Sequence, residues 1–200
     1  MAVVKLSTAG LTDYAQYSSM LAGNAPFVAN AYDLLETTTL TTSASSVTFS
    51  GLGAYSDYAH LQLRSVSRGE RSNNYDGVKM RLNGDSSNNY AAHKLYANGS
   101  SVASGEELGQ SFMNFGVFST AGTSATGAFA ASVFDFLDFS NSSKNTTVRG
   151  LIGSTDVDYI QLVSGLFMET DPITSISLEQ QFGTSFVAGS RYSLFGIKAA

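Results

Sequence analysis

VKMRLNGDSSNNYAAHKLYANGS, residues 78–100, holds two short alternating stretches, each closed by an Asn-Gly. Val78, Met80 and Leu82 point one way, and Lys79, Arg81 and Asn83 the other. That two-residue period is the mark of a half-buried β-strand, and Asn-Gly supplies the positive φ that ends one. The stretch therefore sets the fold class as all-β.

Similar signals continue on both sides. Upstream, the pattern predicts strands over 32–40, 46–50 and 59–68, with Val47, Phe49, Leu61 and Leu63 inward and His60, Gln62 and Arg64 outward. Downstream it predicts strands over 112–118, 128–139, 146–153, 159–168, 173–178 and 192–197. The segment 128–139 carries Val133, Phe134, Phe136 and Leu137 on both faces, which places it mid-sheet. About ten strands at a turn spacing of roughly 8–12 residues suit an antiparallel sandwich, and a jelly-roll-like double sheet fits best. No crossover helices separate these strands, which excludes a parallel α/β sheet. The two prolines both fall outside the strands.

The first thirty residues differ. From Ala9 to Ala22, Leu11, Tyr14, Tyr17 (or Ser18) and Leu21 recur near helical spacing; Thr8 or Thr12 suits a cap, and Gly23-Asn24 closes the segment. So short a helix is marginal alone, so its stripe must rest on its own β-domain or on a neighbouring chain. The expected organisation is an arm over 1–30, acting as an anchor, and a β-sandwich over 31–200.

Composition narrows the function. Apolar residues make up 43% and charged ones only 14%, well below the usual quarter, so the exterior is neutral and hydroxyl-rich. A net charge of −5 with no Lys/Arg run argues against nucleic acid. With no cysteine there is no disulfide. Neither a secretory leader nor an apolar run of membrane-spanning length is visible, so no membrane partner is expected. Asn98-Gly99-Ser100, Asn141-Ser142-Ser143 and Asn145-Thr146-Thr147 match the glycosylation pattern, as chance allows in a chain so rich in these residues.

Catalytic constellations are thin. His60 and His93 are the two histidines, and they read as ordinary surface or interface residues. No HExxH, paired-cysteine spacing, GxSxG, P-loop or GxGxxG occurs, so no cofactor, metal or catalytic residue is assigned. Asp135 with Asp138, and Asp156 with Asp158, are the carboxylate pairs to weigh for a glycosidase, though like charges on an exposed strand are usually just solvated. Asn83-Gly84-Asp85 with Asn88-Asn89 offers oxygen ligands for calcium, but a tight turn with Asx hydrogen bonds explains it better. Ten Tyr and thirteen Phe without Trp give a phenylalanine-weighted core. Tyr55, Tyr58, Tyr75 and Tyr90, expected in turns, are candidates to stack on sugar rings or to fill a subunit interface.

Four blocks in order resemble a family of small structural proteins of tailed bacteriophage virions. They are Lys5–Gly10 with Met20–Asn24; Leu40–Gly51 leading to Tyr58–Arg64 and Arg68; Arg81–Asp85 with Asn89-Tyr90 and Leu95–Ser100; and Ser164–Met168 with Pro172–Leu178 and Phe186–Ile197. The resemblance implies a non-enzymatic role on the particle, as a tail fibre or appendage or as capsid decoration, in a chain made in the host bacterial cytoplasm. It carries no catalytic residues. The expected partners are other copies of the chain, for which a three-fold arrangement suits a fibre or a lattice, and other virion proteins. A carbohydrate-binding adhesin recognising host surface glycans is the competing expectation, and a glycan-cleaving enzyme the third.

Overall fold

A computed structural model describes residues 32–198. The predicted helical stripe of Leu11, Tyr14, Tyr17 and Leu21 lies outside the described residues. Twelve strands run β1 (Tyr32–Thr39), β2 (Ser46–Ser50), β3 (His60–Ser67), β4 (Tyr75–Leu82), β5 (Tyr90–Ala97), β6 (Val102–Gln110), β7 (Met113–Thr120), β8 (Ala130–Leu137), β9 (Thr146–Ser154), β10 (Tyr159–Phe167), β11 (Ser175–Gln180) and β12 (Arg191–Ile197). They form two sheets whose strand neighbours are all antiparallel. The larger has the order β1-β12-β3-β8-β9-β10-β5-β6, and the smaller β2-β11-β4-β7. All connections except β5–β6, β8–β9 and β9–β10 pass from one sheet to the other.

The alternation in 78–82 is realised in β4, where Val78, Met80 and Leu82 are buried and Lys79 and Arg81 lie half exposed. The Asn-Gly that follows makes a tight turn: Asn83 and Gly84 have φ of 55° and 68°, and the Asp85 amide donates to the Leu82 carbonyl at 3.0 Å. Two successive positive φ values define a type I′ turn. Here it carries the chain from the small sheet to the large one instead of closing a hairpin. Asn83 then ties the turn down, its Oδ1 accepting from the Thr174 amide at 2.7 Å.

The core lies between the sheets and is aromatic. Phe134, midway along β8, stacks on Phe115 with ring centroids 5.1 Å apart and on Phe118 at 5.9 Å. Phe118 meets Phe186 edge-on, and Phe186 meets Tyr192 in the same way. All five side chains are fully buried. Each contributes on the order of 2–3 kcal/mol of burial. Strand β8 is central, between β3 and β9, as the apolar residues on both its faces predict.

One strand is a correction. Residues 102–110 form β6, which the residue pattern did not mark. Gly105, Glu106, Glu107 and Gly109 are poor strand formers, but β6 is an edge strand held by pairing to β5 alone.

Candidate functional site

The two outer faces of the sandwich differ. On the small sheet the exposed positions are polar: Ser46 pairs with Glu179, Glu179 with Lys79 and Lys79 with Asn114, while Arg81 bonds Glu179 at 3.1 Å. On the large sheet the register lines up apolar side chains. One row runs Val66, Ala131, Gly153, Ile160, Ala97, Val102 across β3, β8, β9, β10, β5 and β6. The next row runs Arg64, Val133, Leu151, Leu162, Leu95, Ser104 across the same strands. Directly opposed residues on antiparallel strands share a face, so the two rows form one band. Ile160, Leu162 and Leu95 are 55%, 56% and 51% exposed, too much apolar surface on one face to be incidental.

Polar groups border the band. Along its lower side run Gln62, Asp135, Arg149, Ser164, His93 and Glu106. Asp135 accepts from Gln62 at 2.7 Å and from Arg149 at 2.9 Å, and His93 bonds Glu106 at 3.0 Å. Toward β12, Arg64 lies over the rings of Tyr32 and Phe195 at 5.1 and 5.0 Å. A shallow groove of about 550 Å³ runs from there into the band, with Arg191 and Ser193 on one side and Ala131, Leu151 and Ile160 on the other.

A second opening lies at one end of the sandwich, where Tyr96 and Tyr159 stack at 5.5 Å and Tyr159 and Tyr75 at 6.3 Å. With Lys94, Asn114 and Gln181 these rings line a cavity of about 250 Å³. Behind Lys94 and Gly116, the buried Gln161 donates to the Phe115 and Val117 carbonyls at 2.5 and 2.6 Å. Burial pushes the Tyr159 phenol up to about 12.

The sequence-predicted tyrosines are not brought together. Tyr75 lies in the opening just described, whereas Tyr55 ends a 3₁₀ turn (Leu52–Tyr55) and packs on the core. Tyr58 packs its ring over Gly196 and donates to Asp33 at 2.9 Å. Tyr90 is a correction: it is fully buried and out of reach of a glycan or a partner. Its ring stacks on Phe167, and its hydroxyl shares its one proton between the carbonyls of Leu82 and Asp85 and accepts from the Leu82 amide. The polar run before it made Tyr90 look like a turn residue, but it opens β5 on the inner face. Tyr96 and Tyr159, which complete the opening, went unmarked because strand periodicity alone does not show which residues sit at a sheet's end.

Burial of Tyr90 pushes its phenol up to about 12 and raises that of Tyr192 as well. A phenol held neutral stabilises the fold in full below pH 10; that contribution is lost as pH rises from there through about 12, because the unfolded chain ionises first. Urea midpoints should therefore fall across this window. Tyr90→Phe should flatten the decline, and an unchanged slope would disprove the assignment.

The carboxylates are engaged elsewhere. Asp138 lies beyond the end of β8 at φ 51°, so it is not on one strand with Asp135 as expected, and Asp156 and Asp158 lie in and after a 3₁₀ turn (Thr155–Val157) instead of sharing a strand face. The Lys144 ammonium, hydrogen-bonded to Asp138, holds that carboxyl below the usual range, and His60 Nδ1 accepts from the Asp138 amide at 2.9 Å. Among the described residues no group of three or more His, Cys, Asp or Glu is placed to hold a metal ion, and no helix is long and apolar enough to cross a membrane.

No family model matches the chain, and no curated protein matches it. A protein of unknown function from Shewanella oneidensis MR-1, SO2946, is similar over 86% of this chain and 81% of its own, at 10% identity and a TM-score of 0.27. The metal-free form of lectin I-B4 from Griffonia simplicifolia aligns over 84% of this chain and 95% of its own, at 7% identity and a TM-score of 0.19. Likenesses this slight carry no argument about what the chain does.

Proposed function

We propose that this chain is a non-enzymatic structural subunit of a tailed bacteriophage virion, displayed as a tail appendage or as capsid decoration. The observation that carries the assembly role is the apolar band on the large sheet, framed by polar and charged side chains. An apolar centre inside a polar rim is the anatomy of a subunit interface. Few ions need partners when such a face is covered, so the contact is cheap to desolvate. The frequent passage of the chain between sheets agrees with a jelly-roll arrangement. The four blocks resembling phage structural proteins supply the particle.

Locating the chain in intact particles tests this. A density map together with mass spectrometry of purified virions should find it on the surface, at a few to a few dozen copies for a tail and hundreds for a shell. Its absence from particles would refute the proposal. Phage encoding a chain without residues 1–30 should form particles depleted in this subunit, and incorporation at the normal level would rule out an anchoring arm.

A second reading, binding of a host surface glycan, is favoured by the tyrosine-lined opening, where Tyr75, Tyr96 and Tyr159 meet amide and ammonium groups. A glycan array read with wild type and Tyr96→Ala distinguishes it, since silence of the wild-type chain removes this reading.

A further inference from the structure

We infer that the occupant of the apolar band is a second copy of this chain, seated face to face about a two-fold axis along the β9–β10 seam. The inference rests on the assembly role proposed above and names the partner. An axis in the plane of the face and parallel to the strands places β9 of one copy against β10 of the other. It likewise sets β8 against β5, and β3 against β6. Each row then meets itself in reverse.

The register makes those encounters complementary. In the first row Val66 meets Val102, Ala131 meets Ala97, and Ile160 enters the gap left by Gly153. In the second, Leu151 meets Leu162 and Val133 meets Leu95. In the polar row Asp135 comes opposite His93, Gln62 opposite Glu106, and Arg149 opposite Ser164, so no like charges face each other. An isologous contact requires this self-complementarity, and aligned packing of two sheet faces is a standard geometry.

Area agrees. At a strand spacing of about 4.8 Å and a rise of about 3.4 Å per residue, the six strands that overlap, each about eight residues long, cover on the order of 800 Å². A stable pair needs about 800 Å² from each partner. The polar outer face of the small sheet, with its Arg81–Glu179 pair, offers no such apolar centre.

The chain has no cysteine, so introduced thiols are unique. Full-length Val133→Cys and Leu95→Cys proteins are each treated with a short bis-maleimide, alone and mixed. Facing sheets lie about 10 Å apart, within reach of that linker, whereas two copies of position 133, or two of position 95, are three strands apart laterally. A covalent dimer should form on mixing and not from either variant alone. By sedimentation the wild-type chain should be a dimer at tens of micromolar. Leu162→Lys, which changes an exposed side chain, should weaken dimerisation at least about tenfold with an unchanged β-sheet circular dichroism spectrum. A monomeric wild type, or cross-linking of each variant with itself as readily as in the mixture, overturns the pairing. Either result leaves the particle location to be decided by the density map.

Discussion

Replacing Asp76 with alanine should lower stability by about 3–5 kcal/mol, among the largest losses available to a single substitution in this chain. The side chain is fully buried at the start of β4, and its carboxylate accepts three backbone N–H groups. Oδ1 receives the Gly77 amide at 2.7 Å and the Phe182 amide at 3.1 Å, and Oδ2 receives the Gly183 amide at 2.7 Å. A methyl group there leaves all three donors without their acceptor, the Gly77 amide in a buried site and the Phe182 and Gly183 amides in a partly buried one. Asp76→Asn keeps one acceptor but turns an N–H₂ toward a backbone N–H, so it should fall between wild type and alanine. The Asp76 contacts fasten the segment between β11 and β12, which the Gln181 amide also ties to the Gly77 carbonyl at 3.0 Å. For a domain of this size the loss corresponds to a melting temperature lower by roughly 10–15 °C. Thermal and urea unfolding followed by circular dichroism measure it, and a change below about 1 kcal/mol would show that the carboxylate is not the fastener.

Asp76 also marks what the sequence concealed. Asn73-Asn74-Tyr75-Asp76-Gly77 has the composition of a turn, and nothing local says that its aspartate will be buried against a segment a hundred residues later. Local pattern served well where burial alternates. The apolar face of β4, the inward Leu61 and Leu63 of β3 and the central place of β8 were all legible, because a two-residue period is fixed by backbone geometry. It failed where long-range pairing decides. Strand β6 has poor intrinsic preference and exists through its ladder to β5. The apolar band is of the same kind. Val66, Ala131, Ile160 and Val102 each look like a lone surface residue along the chain, and only the continuous ladder from β3 through β8, β9, β10 and β5 to β6 puts them in one row. Tyr90 failed in the opposite sense. Its flanking Ser and Asn suggested exposure, while a ring large enough to span the inter-sheet space was drawn beneath the preceding turn.

Phe134→Ala should cost about 3–5 kcal/mol, the range for emptying a fully buried aromatic site. Its ring touches Phe115 and Phe118 on the facing side and lies against Gly150 on the neighbouring strand β9. A Cβ at position 150 would stand 2.7 Å from Phe134 Cε1 and 2.8 Å from the Val133 carbonyl oxygen, closer than real contacts allow. Gly150→Ala should therefore cost about 1–3 kcal/mol by itself. In the double variant the ring is absent and the added methyl occupies part of the space it left. The combined loss should then fall short of the sum by about 1 kcal/mol or more. Additivity within about 0.5 kcal/mol would mean that the carbonyl, not the ring, excludes a side chain there. The same strand separates core from interface, because Phe134 points inward while its neighbours Val133 and Asp135 lie on the outer face. Core variants that still fold should thus lose stability yet keep self-association, whereas Leu162→Lys should keep stability and lose association. That opposite pair of outcomes is what a sandwich with one face for folding and the other for assembly must give, and a Phe134→Ala chain that folds but no longer self-associates would contradict it.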